Sequence, residues 1–265
     1  MTQATEVLFP SSVDEAVAQF GDGTGVTVVA GGTIVVPEIT YGRLSPSRAL
    51  MLRGAGLDTI ADDGTSVVVG AGVPVARLAE LADAVHALAA CALNVADGEI
   101  RGQATVGGNL CAGRGHDAPR GDLQGPFLAL GATARSVGAG GERTEPLEDF
   151  LAAHEGRLLL DVRFEKPAAS AFASLDYPHT HEYTVLAVTG VRAVSGDVRL
   201  AATGLAGHGK RLPSAEAAAG DPEAASAAAL DDVELGDDAL ASAWYRSRAL
   251  PVLVRRVLSQ LEEAS

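Results

Sequence analysis

The residues of this chain whose types and spacing could do chemistry are two double-glycine turns. Ala30-Gly31-Gly32-Thr33 follows a β-branched run, and Thr105-Val106-Gly107-Gly108-Asn109 comes much later in the chain. Each offers main-chain N–H groups beside a hydroxyl. A pyrophosphate needs several such donors at short range, and only glycine lets backbone approach without a Cβ in the way. Brought together, the two turns could cradle a dinucleotide. Taken singly, each is also what an ordinary tight turn looks like.

Other motifs compete for attention and carry less. Gly70-Ala71-Gly72-Val73-Pro74-Val75-Ala76 matches the G-x-G-x-x-A dinucleotide fingerprint. Pro74, however, removes a donor at the helix start, and Asp97 and Glu99 fall in a loop rather than at the end of a second parallel strand, so a plain strand-to-helix connection is expected. Gly204 to Arg211 resembles a P-loop without its magnesium-binding hydroxyl and reads as a strand-exit turn. His179 and His181 are spaced as two metal ligands but lack a third. Cys91 is read as a small buried hydrophobe rather than a nucleophile. No catalytic triad can be assembled and no metal site is expected. The charged stretch Arg114, His116, Asp117, Arg120, Asp122 follows the second glycine turn directly and reads as a surface loop beside the candidate site.

The elements that must position the turns follow from periodicity. Ser11 or Ser12 with Asp14 and Glu15 starts a helix carrying Val13, Ala16, Val17 and Phe20 to Gly21. Val26 to Ala30, Ala49 to Leu52 and Ser66 to Val69 read as strands, and Pro74 to Ala90 as one amphipathic helix through Leu78, Leu81, Val85 and Leu88. A short helical piece at Phe127 to Leu130 precedes strands at Thr133 to Val137 and Leu158 to Phe164. Lys166-Pro167-Ala168 is the clearest linker. Beyond it come strand segments at Tyr183 to Thr189, Val191 to Ser195 and Val198 to Thr203, then Ala-rich helices over 214–230 and 237–262.

Composition bounds the rest. The 265 residues are 47% hydrophobic, enough for real cores. Twenty basic against 34 acidic residues give a formal charge of -14, a field that repels nucleic acid and anionic membranes. Two cysteines cannot hold a four-thiolate iron–sulfur cluster or a disulfide framework. The opening residues lack a secretory pattern and no apolar stretch reaches the roughly 20 residues of a membrane span, so a soluble cytoplasmic protein is expected.

At this point the sequence resembles a known family. VVAGGT at 28–33, GAGV at 70–73, ATVGGNLC at 104–111, Gly121-Asp122-Leu123 before an apolar helix, and LLLDV at 158–162 match in order the FAD-binding medium subunit of the xanthine dehydrogenase and carbon monoxide dehydrogenase family of molybdenum hydroxylases. The resemblance implies an α+β fold in three parts. Residues 1–60 and 61–166, a small α/β piece and a larger mixed-sheet piece, clasp FAD; residues 167–265 form a C-terminal domain with a three-stranded antiparallel sheet and helices. It also implies residue roles. Val29, Ala30, Gly31, Gly32, Thr33, Ile34 and Val35 would wrap the adenosine diphosphate part, with the N–H groups of Gly31, Gly32 and Thr33 on the pyrophosphate. Thr105, Gly107, Gly108 and Asn109 would face it, while Val95, Ala96 and Ile100 would line the adenine or ribityl path. Asp122 would take a ribose hydroxyl, and Leu159 would pack near the flavin. Ala173 stands where some members place a flavin-side Lys.

The resemblance therefore implies an FAD-binding electron-transfer subunit that takes electrons from a [2Fe–2S] small subunit and works beside a molybdenum-cofactor large subunit. The glycine-dense loop from Cys111 to Asp122 is the candidate rim for the iron–sulfur partner. Two rivals stay open on sequence alone: a stand-alone FAD-dependent oxidoreductase with its own small substrate, and a flavin-free scaffold that has kept the fold.

Overall fold

The computed structural model describes residues 5–112, 121–176 and 184–264. Three sheets follow one another along the chain. The first is built from β1 (Glu6–Leu8), α1 (Val13–Phe20), β2 (Val26–Val29), α2 (Val35–Thr40) and β3 (Arg48–Met51), with β3 pairing parallel to both β1 and β2. Ser12 is the N-cap of α1: its hydroxyl accepts from Glu15 N, while the Glu15 carboxylate accepts from Ser11 N at 2.8 Å. Gly21, at φ +62°, ends the helix.

The second sheet comprises β4 (Ile60–Asp62), β5 (Ser66–Gly70), β6 (Thr133–Gly138), β7 (Gly141–Pro146) and β8 (Arg157–Glu165), in the order β4-β5-β8-β6-β7. The mixed pairing expected here is not found, since every junction is antiparallel. That also disposes of the dinucleotide fingerprint at Gly70, because β5 belongs to no parallel βαβ unit. Its glycines serve packing instead: a Cβ on Gly70 would lie 2.1 Å from Leu57 O.

Between β5 and β6 the chain forms a 3-10 helix (Val75–Leu81), α3 (His86–Asn94), α4 (Gly98–Gln103), α5 (Val106–Leu110) and α6 (Gln124–Ala129); α7 (Leu147–Ala153) joins β7 to β8. The single helix expected over 74–90 is thus two. Leu78, Leu81, Val85 and Leu88 are all buried, but extended Val85 interrupts the run. Ala87 N near the start of α3 donates to Ser170 Oγ at 3.0 Å, a cap supplied from 83 residues farther along the chain.

The third sheet contains β9 (Ala169–Leu175), β10 (Leu186–Arg192), β11 (Val198–Thr203) and β12 (Lys210–Arg211) in the order β12-β11-β10-β9, all antiparallel. Three long strands thus carry a two-residue edge strand. Strand β9, which the sequence reading passed over, begins directly after the 166–168 linker. The strand segments read as ending at Thr189 and starting at Val191 are one strand through Gly190, where a Cβ would meet Val257 Cγ1 at 2.4 Å. The helical region at 214–230 divides into α8 (Pro213–Ala217) and α9 (Pro222–Ala228), with Asp221 capping the second. The last helix, α10 (Ala243–Glu263), starts later than position 237, at Ser242, whose hydroxyl caps it by accepting from Tyr245 N. Ala173 is buried in this domain's core. Gly204, at φ +82°, is the strand-exit turn expected there. Among the described residues no helix is long and apolar enough to cross a membrane.

Candidate cofactor site

Between the first two sheets lies a cleft of about 540 Å³, within the usual size of a cofactor pocket. Fourteen of the predicted residues line it; Val29 and Gly31 do not. Val29 is buried at the end of β2. Gly31 faces the second lobe instead, where a Cβ would lie 2.0 Å from Gln103 O. Its need for glycine is therefore the approach of one lobe to the other.

The first turn is a row of main-chain donors. Gly32 takes φ +75°, and Val36 N donates to Gly32 O at 3.0 Å as α2 begins. No acceptor among the described residues pairs with the N–H groups of Gly31, Gly32, Thr33, Ile34 or Val35. Four of these, Gly32 to Val35, are on the cleft wall, a row that suits an anion with several oxygens.

The second turn differs from the sequence expectation. Val106 N donates to Val73 O at 2.9 Å, Gly107 N to Ala71 O at 2.8 Å and Asn109 N to Thr105 O at 2.9 Å. Gly108 N donates to Thr105 Oγ1 at 3.1 Å, the hydroxyl capping α5. These donors are consumed by the fold, and Gly107 lacks a Cβ because Ala71 Cβ would be 2.8 Å away. Thr105, Gly107, Gly108 and Asn109 line the cleft without a free main-chain donor from Gly107, Gly108 or Asn109. The unpaired main-chain donors of the described lining are those of the first turn.

Farther along, Asn109 Oδ1 accepts from Leu123 N at 2.9 Å, and its side chain also hydrogen-bonds the Asp122 carboxylate, as does Thr184. Asp122 is buried, and loss of hydration raises its pKa to about 6 against the stabilising bond from Thr184. Cys91 Sγ donates to Asp122 O at 3.4 Å. Burial and the nearby carboxylates raise the Cys91 thiol, and burial pushes Cys111 to about 12, so neither is a thiolate at neutral pH. Among the described residues no group of three or more His, Cys, Asp or Glu could hold a metal; His179, His181 and most of the 111–122 loop lie outside those residues.

Val95, Ala96 and Ile100 form another stretch of wall. Ala96 has φ +43°, the sole positive value for a non-glycine residue among those described. Leu159 lines the cleft with Leu158, His154 and Arg157. The last two had no signal in the sequence beyond their proximity to LLLDV. Among the described residues Arg157 is the sole Lys or Arg on the lining, and its guanidinium donates to Ser136 Oγ, Ser136 O and Gly141 O at 2.8–3.0 Å. The described lining thus offers neutral main-chain donors, aliphatic walls and a carboxylate.

Such a cleft has the size and the donor set to take a dinucleotide. Residues 3–164 match the family described as the FAD binding domain in molybdopterin dehydrogenase, and the chain belongs to that family. It is 27% identical over 282 residues to the carbon monoxide dehydrogenase medium chain of Afipia carboxidovorans, covering 95% of this chain and 94% of that one. It is 26% identical over 274 residues to the nicotine 6-hydroxylase medium subunit of Paenarthrobacter nicotinovorans, at 94% of each chain. Among solved structures, carbon monoxide dehydrogenase from Hydrogenophaga pseudoflava superposes with a TM-score of 0.86 at 25% identity, over 100% of this chain and 99% of that one. A Cu,Mo-CO dehydrogenase gives 0.88 at 24% identity over 100% of both chains. The cofactor is FAD, and the chain is the FAD-binding part of a molybdopterin-type oxidoreductase.

Proposed function

We propose that this chain is an electron-transfer subunit, taking electrons from a [2Fe–2S] small subunit in a complex whose molybdenum-cofactor large subunit performs the chemistry on substrate. The observation that carries this reading is the cleft's content: free main-chain donors and apolar walls, with no ionised thiol among its residues. Bound FAD supplies one- and two-electron redox chemistry. The chain's own residues bind and orient. Gly32 to Val35 direct N–H groups at the diphosphate. Asp122 accepts from a ribose or ribityl hydroxyl. Val95, Ala96, Leu158 and Leu159 exclude water from the rings. Residues 1–60 and 61–166 act as the two clasping parts, and 167–265 as a separate C-terminal unit. A cytoplasmic location is part of this proposal.

The exposed side chains of Val36, Ile39 and Tyr41 on and just after α2 lie beside the first turn, an apolar surface of the kind a partner chain covers. Two measurements test the reading. The purified chain should release stoichiometric FAD on heating and co-purify with a large and a [2Fe–2S] subunit when co-expressed. Alone, it should oxidise organic substrates far below the roughly 1 per second common to enzymes. Fast turnover by the isolated chain would replace the subunit reading with a stand-alone flavoenzyme.

A further inference from the structure

Seven residues, Val95 to Arg101, form a closed local device on the cleft wall. At the exit of α3, Val95 N donates to Ala92 O at 3.3 Å, and the chain then turns through left-handed Ala96. Asp97 caps α4, its carboxylate accepting from Ile100 N at 2.8 Å. One turn later the side chain of Arg101 folds back over the bend. Its Nη1 donates to Val95 O at 2.9 Å and to Ala96 O at 2.7 Å.

The left-handed region is unfavourable for alanine because its Cβ crowds the backbone. Such a conformation persists only where its surroundings impose it. Here the two carbonyls that the bend turns outward are held by one cationic nitrogen, and charge-assisted bonds are the stronger kind. Val95, Ala96 and Asp97 all line the cleft, whereas Arg101 does not.

We propose that Arg101 is a positioning residue for FAD: by gripping Val95 O and Ala96 O it holds Ala96 left-handed and so sets the wall against which the cofactor packs. This rests on the FAD reading of the cleft. Its distinguishing consequence is that removing the guanidinium and removing the Ala96 Cβ act on the same bend and should not be additive. Glycine adopts positive φ without penalty, so at position 96 it makes the bend less dependent on the clamp.

The test titrates FAD into the full-length apoprotein, following flavin fluorescence. Arg101→Ala should lose about tenfold in affinity. Arg101→Lys should retain most of it, because a single ammonium can donate to both carbonyls as Nη1 does. Adding Ala96→Gly to Arg101→Ala should recover a substantial part of the loss, and melting temperatures of the apoproteins should show the same partial rescue. Wild-type affinity in Arg101→Ala overturns the inference, and so does an Arg101→Ala loss that Ala96→Gly leaves untouched, which would place the guanidinium directly on the cofactor. A wild-type chain that takes up no FAD overturns the cofactor reading itself, and is recognised before any variant is compared.

Discussion

Gly31 and Gln103 touch backbone to backbone across the two lobes: a methyl group on Gly31 would stand 2.0 Å from the Gln103 carbonyl oxygen. The contact is between backbones, so it cannot be relieved by turning a side chain aside.

Gly31→Ala should therefore part the lobes. Overpacking of this kind costs about 1–3 kcal/mol, and urea unfolding should register it, together with weaker FAD retention in the fraction that stays folded. Wild-type stability in this variant would mean that the lobes approach less closely than described.

Gly32→Ala acts differently. At φ +75° a side chain is strained, and Val36 Cγ2 stands 3.0 Å from the added carbon. A cost of about 1–2 kcal/mol in stability is expected, with FAD affinity reduced at least tenfold as the donor row of residues 31–35 is displaced. Gly72→Ala is the comparison, since Gly72 packs on Leu57 away from the cleft. It should lose stability but keep its FAD affinity, and equal losses of affinity in the two variants would misplace the diphosphate.

Asp122 predicts an unusual pH dependence. Its pKa is about 6 in the folded chain and about 3.9 in an unfolded one. Between those values the native state holds the extra proton, so this group's contribution to stability falls as pH rises from about 4 to about 6. Above that window the penalty is complete, on the order of 3 kcal/mol. Asp122→Asn should accordingly be more stable than wild type at pH 8, with the advantage shrinking toward pH 4, while binding FAD more weakly. Parallel stability curves for the two proteins across that range would refute it.

In the C-terminal unit, Arg246 is buried, donating twice to Asp238 at 2.8 Å and to Gly236 O and Ala241 O at 2.7 Å. Asp238→Ala leaves that charge without its counter-ion and should cost about 3–5 kcal/mol. Denaturant titration followed by Trp244 fluorescence reports it.

Local grammar made part of this molecule legible. The Ser12 and Glu15 cap and the turn at Gly31 and Gly32 each depend on neighbours in sequence. What stayed hidden depends on partners far along the chain. Thr105 to Asn109 reads as a second row of donors until Val73 O and Ala71 O are seen to consume two of them. The break between the 3-10 helix and α3 is accompanied by a cap from Ser170, 83 residues away. Gly190 looks like the end of a strand until Val257 is found pressed against it. Arg101 carries no signal of its own in the sequence, and gains its role only because Ala96 bends beneath it.

Strand β8 has a consequence for how the chain is made. Leu158 and Leu160 pack with Ala16, Phe20 and Leu50 of the first lobe, while Leu159, Val162 and Phe164 join the core of the second. The lobe that leaves the ribosome first is thus the one whose interior is completed late, by a strand synthesised about a hundred residues after its own last strand. Until those leucines arrive, the nascent first lobe has an uncovered apolar face, and the cleft lacks the stretch of wall that Leu158 and Leu159 supply.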